Sequence, residues 1–177
     1  MSDFLVRAAR PDDLPLLPEI EVSAASLFRD QGVEVFAGET EDAPIDFTPA
    51  EVWEPIRAAG LLWVMAQDDG PPGAFLAARI EENRLHVLEF DVHRRLQGQG
   101  VGRRLLAFAI DEARRRDLAG LSLTTFRDVP WNAPFYASAG FEIVERNATT
   151  PLLRAYLDRE AARGLDPARR CAMILKF

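Results

Sequence analysis

Between Leu85 and Leu106 the chain reads LHVLEFDVHRRLQGQGVGRRLL, the stretch that restricts its fold most. Val87, Leu88, Phe90 and Val92 make an apolar-rich run suited to a buried strand. A basic turn with Gly98, Gly100 and Gly102 follows, and from there the apolar residues recur at helical spacing. A strand that turns through glycines into a helix points unpaired backbone N–H groups and a helix N-terminus at one anion. Arg94, Arg95, Arg103 and Arg104 add positive charge around the same point, so a phosphate group is expected there.

The flanking sequence supplies strands on both sides. Asp3 to Ala8 reads as a strand, and Leu14, Leu17, Ile20 and Ala24 then mark an amphipathic helix to about Phe28, with Pro18 able to kink or split it. Residues 30–48 read as a loop with Asp30, Glu34, Glu39, Glu41, Asp42 and Asp46 and no Lys or Arg: a solvated excursion, or an acidic lip that draws in an amine. Thr48-Pro49-Ala50-Glu51 has the form of a capping box before a short helix that stops near Gly60. Leu61–Gln67, Gly73–Glu81 and Arg84–Val92 are three strands joined by tight turns, an antiparallel meander whose last strand feeds the glycine turn. The helix after Gly102 crosses to Leu121–Phe126, which should run parallel to the strand before it. A short helix through Tyr136, a strand Phe141–Arg146, a helix capped by Thr150 and a strand Arg170–Lys176 complete one domain over 1–177, its core about 3–146. The fold class is α/β with α+β-type layers: a mixed, mostly antiparallel sheet flanked by helices.

A net charge of −7 argues against nonspecific nucleic-acid binding and suits a cationic small substrate. Lys176 is the only lysine, an arginine bias that a GC-rich bacterial genome explains. The single cysteine, Cys171, forbids an internal disulfide, and two histidines are too few for a zinc site without carboxylate help, so no metal is expected. No signal-peptide pattern and no run near the ~20 apolar residues of a membrane span is present, which makes the cytoplasm the default compartment.

Spacing separates the phosphate-binding motifs. A Walker loop needs a lysine that this stretch lacks, and the third position of a dinucleotide fingerprint is Arg103 rather than glycine. Gln97-Gly98-Gln99-Gly100-Val101-Gly102, with Arg103 following, resembles the acyl-coenzyme A pyrophosphate loop of the GNAT superfamily of N-acyltransferases. Phe135-Tyr136-Ala137-Ser138-Ala139-Gly140-Phe141 looks like that family's F-Y-x-x-x-G-F signature, at the expected distance, and the strand order from Asp3 to Arg146 is similar.

The resemblance implies acetyl-CoA as acyl donor, held by Gln97 to Arg103 and by the backbone of Phe90, Asp91 and Val92, which runs beside the pantetheine. Glu89 is the candidate general base, because a carboxylate inside an apolar strand gains proton affinity; Asp91, on the same strand face, is the reserve. Tyr136 is the candidate acid, since a phenol of pKa about 10 stays protonated and can hand its proton to a thiolate. The family's usual asparagine position is Val129 here, and Asn132, four residues before Tyr136, is the substitute cofactor contact. Phe28, Trp53, Asp91 and Trp131 come from segments that flank the family's acceptor cleft. The expected acceptor is a small-molecule amine; a noncatalytic acyl-CoA-binding module and an enzyme acting on protein amines are the alternatives. The last helix either packs on the fold or builds a homodimer.

Overall fold

The computed structural model describes residues 4–40 and 42–177; the start of the first strand at Asp3 and the acid Glu41 lie outside the described residues. Seven strands form a sheet in the order β1-β2-β3-β4-β5-β7-β6, with β1 at Phe4–Ala8, β2 at Leu62–Gln67, β3 at Pro72–Glu81, β4 at Arg84–Val92, β5 at Gly120–Phe126, β6 at Glu142–Val144 and β7 at Arg170–Lys176. The β4–β5 pair is parallel, as the helical crossover requires, while β1–β2, β2–β3, β5–β7 and β6–β7 are antiparallel. The chain gathers into two compact units, one of Met1–Val33, Thr40–Arg79 and Leu88–Asp111, the other of Glu34–Glu39, Ile80–Val87 and Glu112–Phe177.

In the first unit, β2 and β3 are buried on both faces. Val64 lies opposite Phe75, whose ring meets Trp53 edge to face at 5.9 Å; Trp63 lies opposite Leu76 and meets Phe108 in the same way at 5.9 Å. Adjacent strand residues point to opposite faces, so Trp53 covers one side of the sheet and helix α3 (Val101–Arg115), which carries Phe108, covers the other. Pro18 does split the first helix: Pro11–Leu16 is a 3-10 turn, and α1 runs Leu17–Asp30 with Pro18 in its first turn, where its missing N–H costs nothing. The capping box expected at Thr48 does not form. Pro49 takes the N-cap position of a 3-10 turn, Ala50–Trp53, that leads into α2 (Glu54–Ala58), and the Thr48 N–H is held elsewhere.

The second unit is built on β5, which is flanked by β4 residues Leu85 and His86 and by the whole of β7, with β6 beyond. Gly120 is obligatory: a Cβ there would stand 1.9 Å from the Leu175 carbonyl oxygen. Helix α4 is Ala133–Ser138 and α5 is Pro151–Ala162, the latter capped by the Thr150 hydroxyl as expected. Glu160 of α5 pairs through both oxygens with Arg170 at 2.8 Å, and Leu153 packs with Ala172 and Ile174. His86, buried, shares a 2.9 Å hydrogen bond with Ser122 and stacks on Tyr156, whose hydroxyl donates to Glu81 at 2.8 Å.

Asp13 anchors the turn after β1. It accepts two bonds from Arg7 (2.6 and 3.0 Å) and one from the Arg10 N–H (2.7 Å). Burial pushes its carboxyl up, but these donors outweigh it and hold the group below the usual carboxylate range. A depressed folded value gives stability above the ordinary pKa that disappears as pH falls through the folded one. Asp13→Asn should therefore cost about 3 kcal/mol at pH 7, read by urea unfolding, and the gap to the parent protein should narrow steadily below pH 4.

Candidate functional site

The glycine turn is built within the first unit. After β4, Arg94–Leu96 forms a 3-10 turn whose first residue is tied to α1: its N–H donates to the Ser23 hydroxyl (3.1 Å) and its guanidinium pairs with Asp30 (2.8 Å). Gln97 braces the turn by donating to the Val92 carbonyl (3.0 Å) and accepting from Arg94 (3.1 Å), and Gln99 donates to the Arg95 carbonyl (2.7 Å). The amide side chains of Gln97 and Gln99 thus hold the loop's shape.

Gly98 and Gly100 have φ of 73° and 79°, left-handed values that favour glycine, and a Cβ at either would meet nothing within 4 Å. The space in front of the turn is open. Helix α3 begins at Val101, and its first internal bond runs from the Arg104 N–H to the Gly100 carbonyl (3.0 Å). The N–H groups of Val101, Gly102 and Arg103 therefore have no acceptor within the helix, and the helix dipole adds to their pull on an anion. Two of the four expected arginines are committed otherwise: Arg94 to Asp30, and Arg104 to the Phe4 carbonyl at 2.6 Å. Arg95 and Arg103 remain exposed beside the turn.

On β4, Glu89 and Asp91 share a face, as alternation demands, and both are half-buried. A third carboxylate meets them. Glu21 of α1 brings an oxygen into a group with theirs in which all three lie within 4.8 Å of one another. Glu21 was not among the residues expected at the site, although the sequence carried its signal: a glutamate on the apolar face that Leu17, Ile20 and Ala24 define. Its oxygens accept from the Thr48 N–H (2.8 Å) and the Trp53 indole N–H (3.2 Å). Trp53 is itself buried in the core and reaches the carboxylates through that indole bond. Phe28 is half-buried on α1.

Burial, then the charges of Glu89 and Glu21, push the Asp91 carboxyl well above the usual range, and Asp91 is hydrogen-bonded to Glu89. The two carboxyls therefore share a raised affinity for a proton, with the upward push resolved at Asp91. Burial also raises Glu21, against the opposing effect of the Thr48 and Trp53 donors.

The remaining predicted residues lie in the second unit. Tyr136 is buried in α4 between Phe135 and Phe141, which it meets edge to face at 5.2 and 5.7 Å. Asn132 precedes the helix; its backbone carbonyl accepts from the Tyr136 N–H (3.1 Å), while its side-chain Nδ2 is buried with no partner among the described residues. Trp131, half-buried, precedes it.

Known proteins fit this geometry. The sequence model of the acetyltransferase (GNAT) family matches residues 25–141, more than half of the chain. Among solved structures, the ribosomal-protein-S18-alanine N-acetyltransferase of Escherichia coli is similar, with a TM-score of 0.65, 20% identity and coverage of 98% of this chain and 94% of that one. The PaiA N-acetyltransferase of Thermoplasma acidophilum, in complex with coenzyme A, has a TM-score of 0.66 at 15% identity, covering 99% of each chain. N-acetylglutamate synthase of Neisseria gonorrhoeae, complexed with coenzyme A and N-acetyl-glutamate, has a TM-score of 0.67 at 17% identity, covering 99% of this chain and 35% of that one.

A raised carboxyl gives stability that is full below its ordinary value, about 3.9, and is lost as pH rises through the folded one. Asp91→Asn imitates the protonated form. Its thermal midpoint should fall less from pH 4 upward than that of the parent, a divergence that differential scanning calorimetry measures.

Proposed function

Because the chain belongs to the acetyltransferase (GNAT) family, we propose that it transfers acetyl from acetyl-CoA to the primary amine of a small molecule by direct attack. The observation that carries this reading is one continuous element. Strand β4 bears the carboxylates and runs straight into the glycine turn and the unpaired N–H groups that open α3. A diphosphate suits those N–H groups, and the Asn132 Nδ2, without a partner among the described residues, suits a cofactor contact. The coenzyme A held by the PaiA and N-acetylglutamate synthase structures supports the same donor.

Acetyl-CoA supplies a thioester whose carbonyl carbon takes the amine lone pair as the carbon–sulfur bond breaks. The backbone N–H groups of Phe90 to Val92 are assigned to the carbonyl oxygen, where a donor placed for the developing charge is worth roughly 3 kcal/mol. Glu89 takes the proton that the amine must lose. Asp91, whose proton affinity is raised beside Glu89, is assigned as its hydrogen-bonding neighbour, and Glu89 as the base. Tyr136 is assigned to protonate the departing thiolate, on the strength of its place in the F-Y-x-x-x-G-F sequence. The acidic composition of residues 30–48 favours a cationic acceptor, and a small one is the reading adopted over a protein amine.

A screen of small primary amines, read by thiol release from acetyl-CoA, tests the assignment. Glu89→Gln should lower turnover by about 10²–10⁴-fold with coenzyme binding intact, and Tyr136→Phe should reduce kcat far more than affinity. Parent-like turnover in either variant removes that residue from the chemistry.

A further inference from the structure

Glu21 does two things at once. It is 7% exposed on the apolar side of α1, where an ionised group is costly unless donors surround it. Its donors come from far along the chain: the Thr48 N–H, 27 residues away, and the Trp53 indole, 32 away. These bonds pin both ends of the 48–53 segment to α1, beside β4. The same carboxylate completes the group with Glu89 and Asp91.

Both donors favour the ionised form of Glu21, because each gives a hydrogen bond to an oxygen that only the carboxylate fully offers. These donors oppose the burial that raises Glu21, and whenever Glu21 is ionised its charge, this close to two further carboxyls, opposes the loss of their shared proton. Asp46 adds a like charge that acts on Glu21. The groups facing the cluster are thus Glu89 and Asp91 from β4, Glu21 from α1, and Asp46, Thr48 and Trp53 from the connecting segment.

We propose that Glu21 is a positioning residue for acyl transfer: its carboxyl, packed against Glu89 and Asp91, tunes that pair, and its two hydrogen bonds hold the 48–53 segment against it. The proposal rests on the reading of Glu89 as base. Glu21 touches neither donor nor acceptor in this scheme; it acts through the pair. A pair with raised proton affinity is better matched to an amine that arrives as an ammonium ion. Loss of the Glu21 charge would release the shared proton at lower pH and weaken the base without altering the coenzyme loop.

The test is a carbon-13 titration of the Asp and Glu carboxyls by NMR on the full chain, in the parent protein and in Glu21→Gln and Glu21→Asp, with no ligand present. In the parent, the Asp91 carboxyl should titrate in two steps, one shared with Glu21. In Glu21→Gln, the Asp91 midpoint should fall by about one pH unit or more; in Glu21→Asp, which keeps the charge, it should stay within a few tenths of the parent. A Gln variant that loses stability but leaves the Asp91 midpoint in place would make Glu21 a structural residue and overturn the proposal. If that variant does not fold, a single-step Asp91 titration in the parent overturns it alone. The Glu89 reading is judged separately by thiol release, so failure of one assignment is distinguishable from failure of the other.

Discussion

A helix cannot pair its own first N–H groups, and the account of this protein depends on where α3 leaves them. The turn before α3 is held in shape by side-chain amides, Gln97 on the Val92 carbonyl and Gln99 on the Arg95 carbonyl, and by Arg94 bonded to α1. Gly98 and Gly100 adopt left-handed backbone angles with open space before them. The result is a braced turn of backbone donors with open space before Gly98 and Gly100 among the described residues. The proposed affinity for a diphosphate rests on this backbone geometry, with Arg95 and Arg103 as additional charge.

The second consequence comes from β4 itself. Because its side chains alternate, Glu89 and Asp91 share one face, and Glu21 meets them from α1. Crowded carboxyls cannot all ionise cheaply, and here burial and the charges of Glu89 and Glu21 push Asp91 well above the usual range. An acetyltransferase acting on amines needs a group that accepts a proton beside the donor site. In the proposed scheme the same strand that leads into the glycine turn provides it, with the carboxylates and the turn in one unit of the chain.

Elements set by local chemistry were readable from residue order. β4 and β7 have the bounds that their apolar patterns indicate, and Thr150 caps α5 as its type suggests. Pairings between distant residues were not readable. β7 lies between β5 and β6, an arrangement decided by which distant edges fit together and invisible to periodicity. Thr48 carries the residue pattern of a cap, yet its N–H satisfies a buried glutamate from another helix, and that demand overrides the local preference. Arg94 and Arg104 looked like anion ligands by proximity in sequence, but Asp30 and the Phe4 carbonyl claim them. Glu21 was visible as an anomaly on an apolar helix face, while the carboxylates it meets could be known only once β4 was placed beside α1.

Calorimetric titration of the protein with acetyl-CoA, NADH and ATP, repeated on Gly100→Val, tests the central claim most directly. A valine at φ 79° is strained and would deform the turn. The account predicts binding of acetyl-CoA in preference to the other two, weakened at least tenfold in a folded Gly100→Val protein. Equal acetyl-CoA affinity in the variant, or tighter binding of NADH or ATP by the parent, would contradict it.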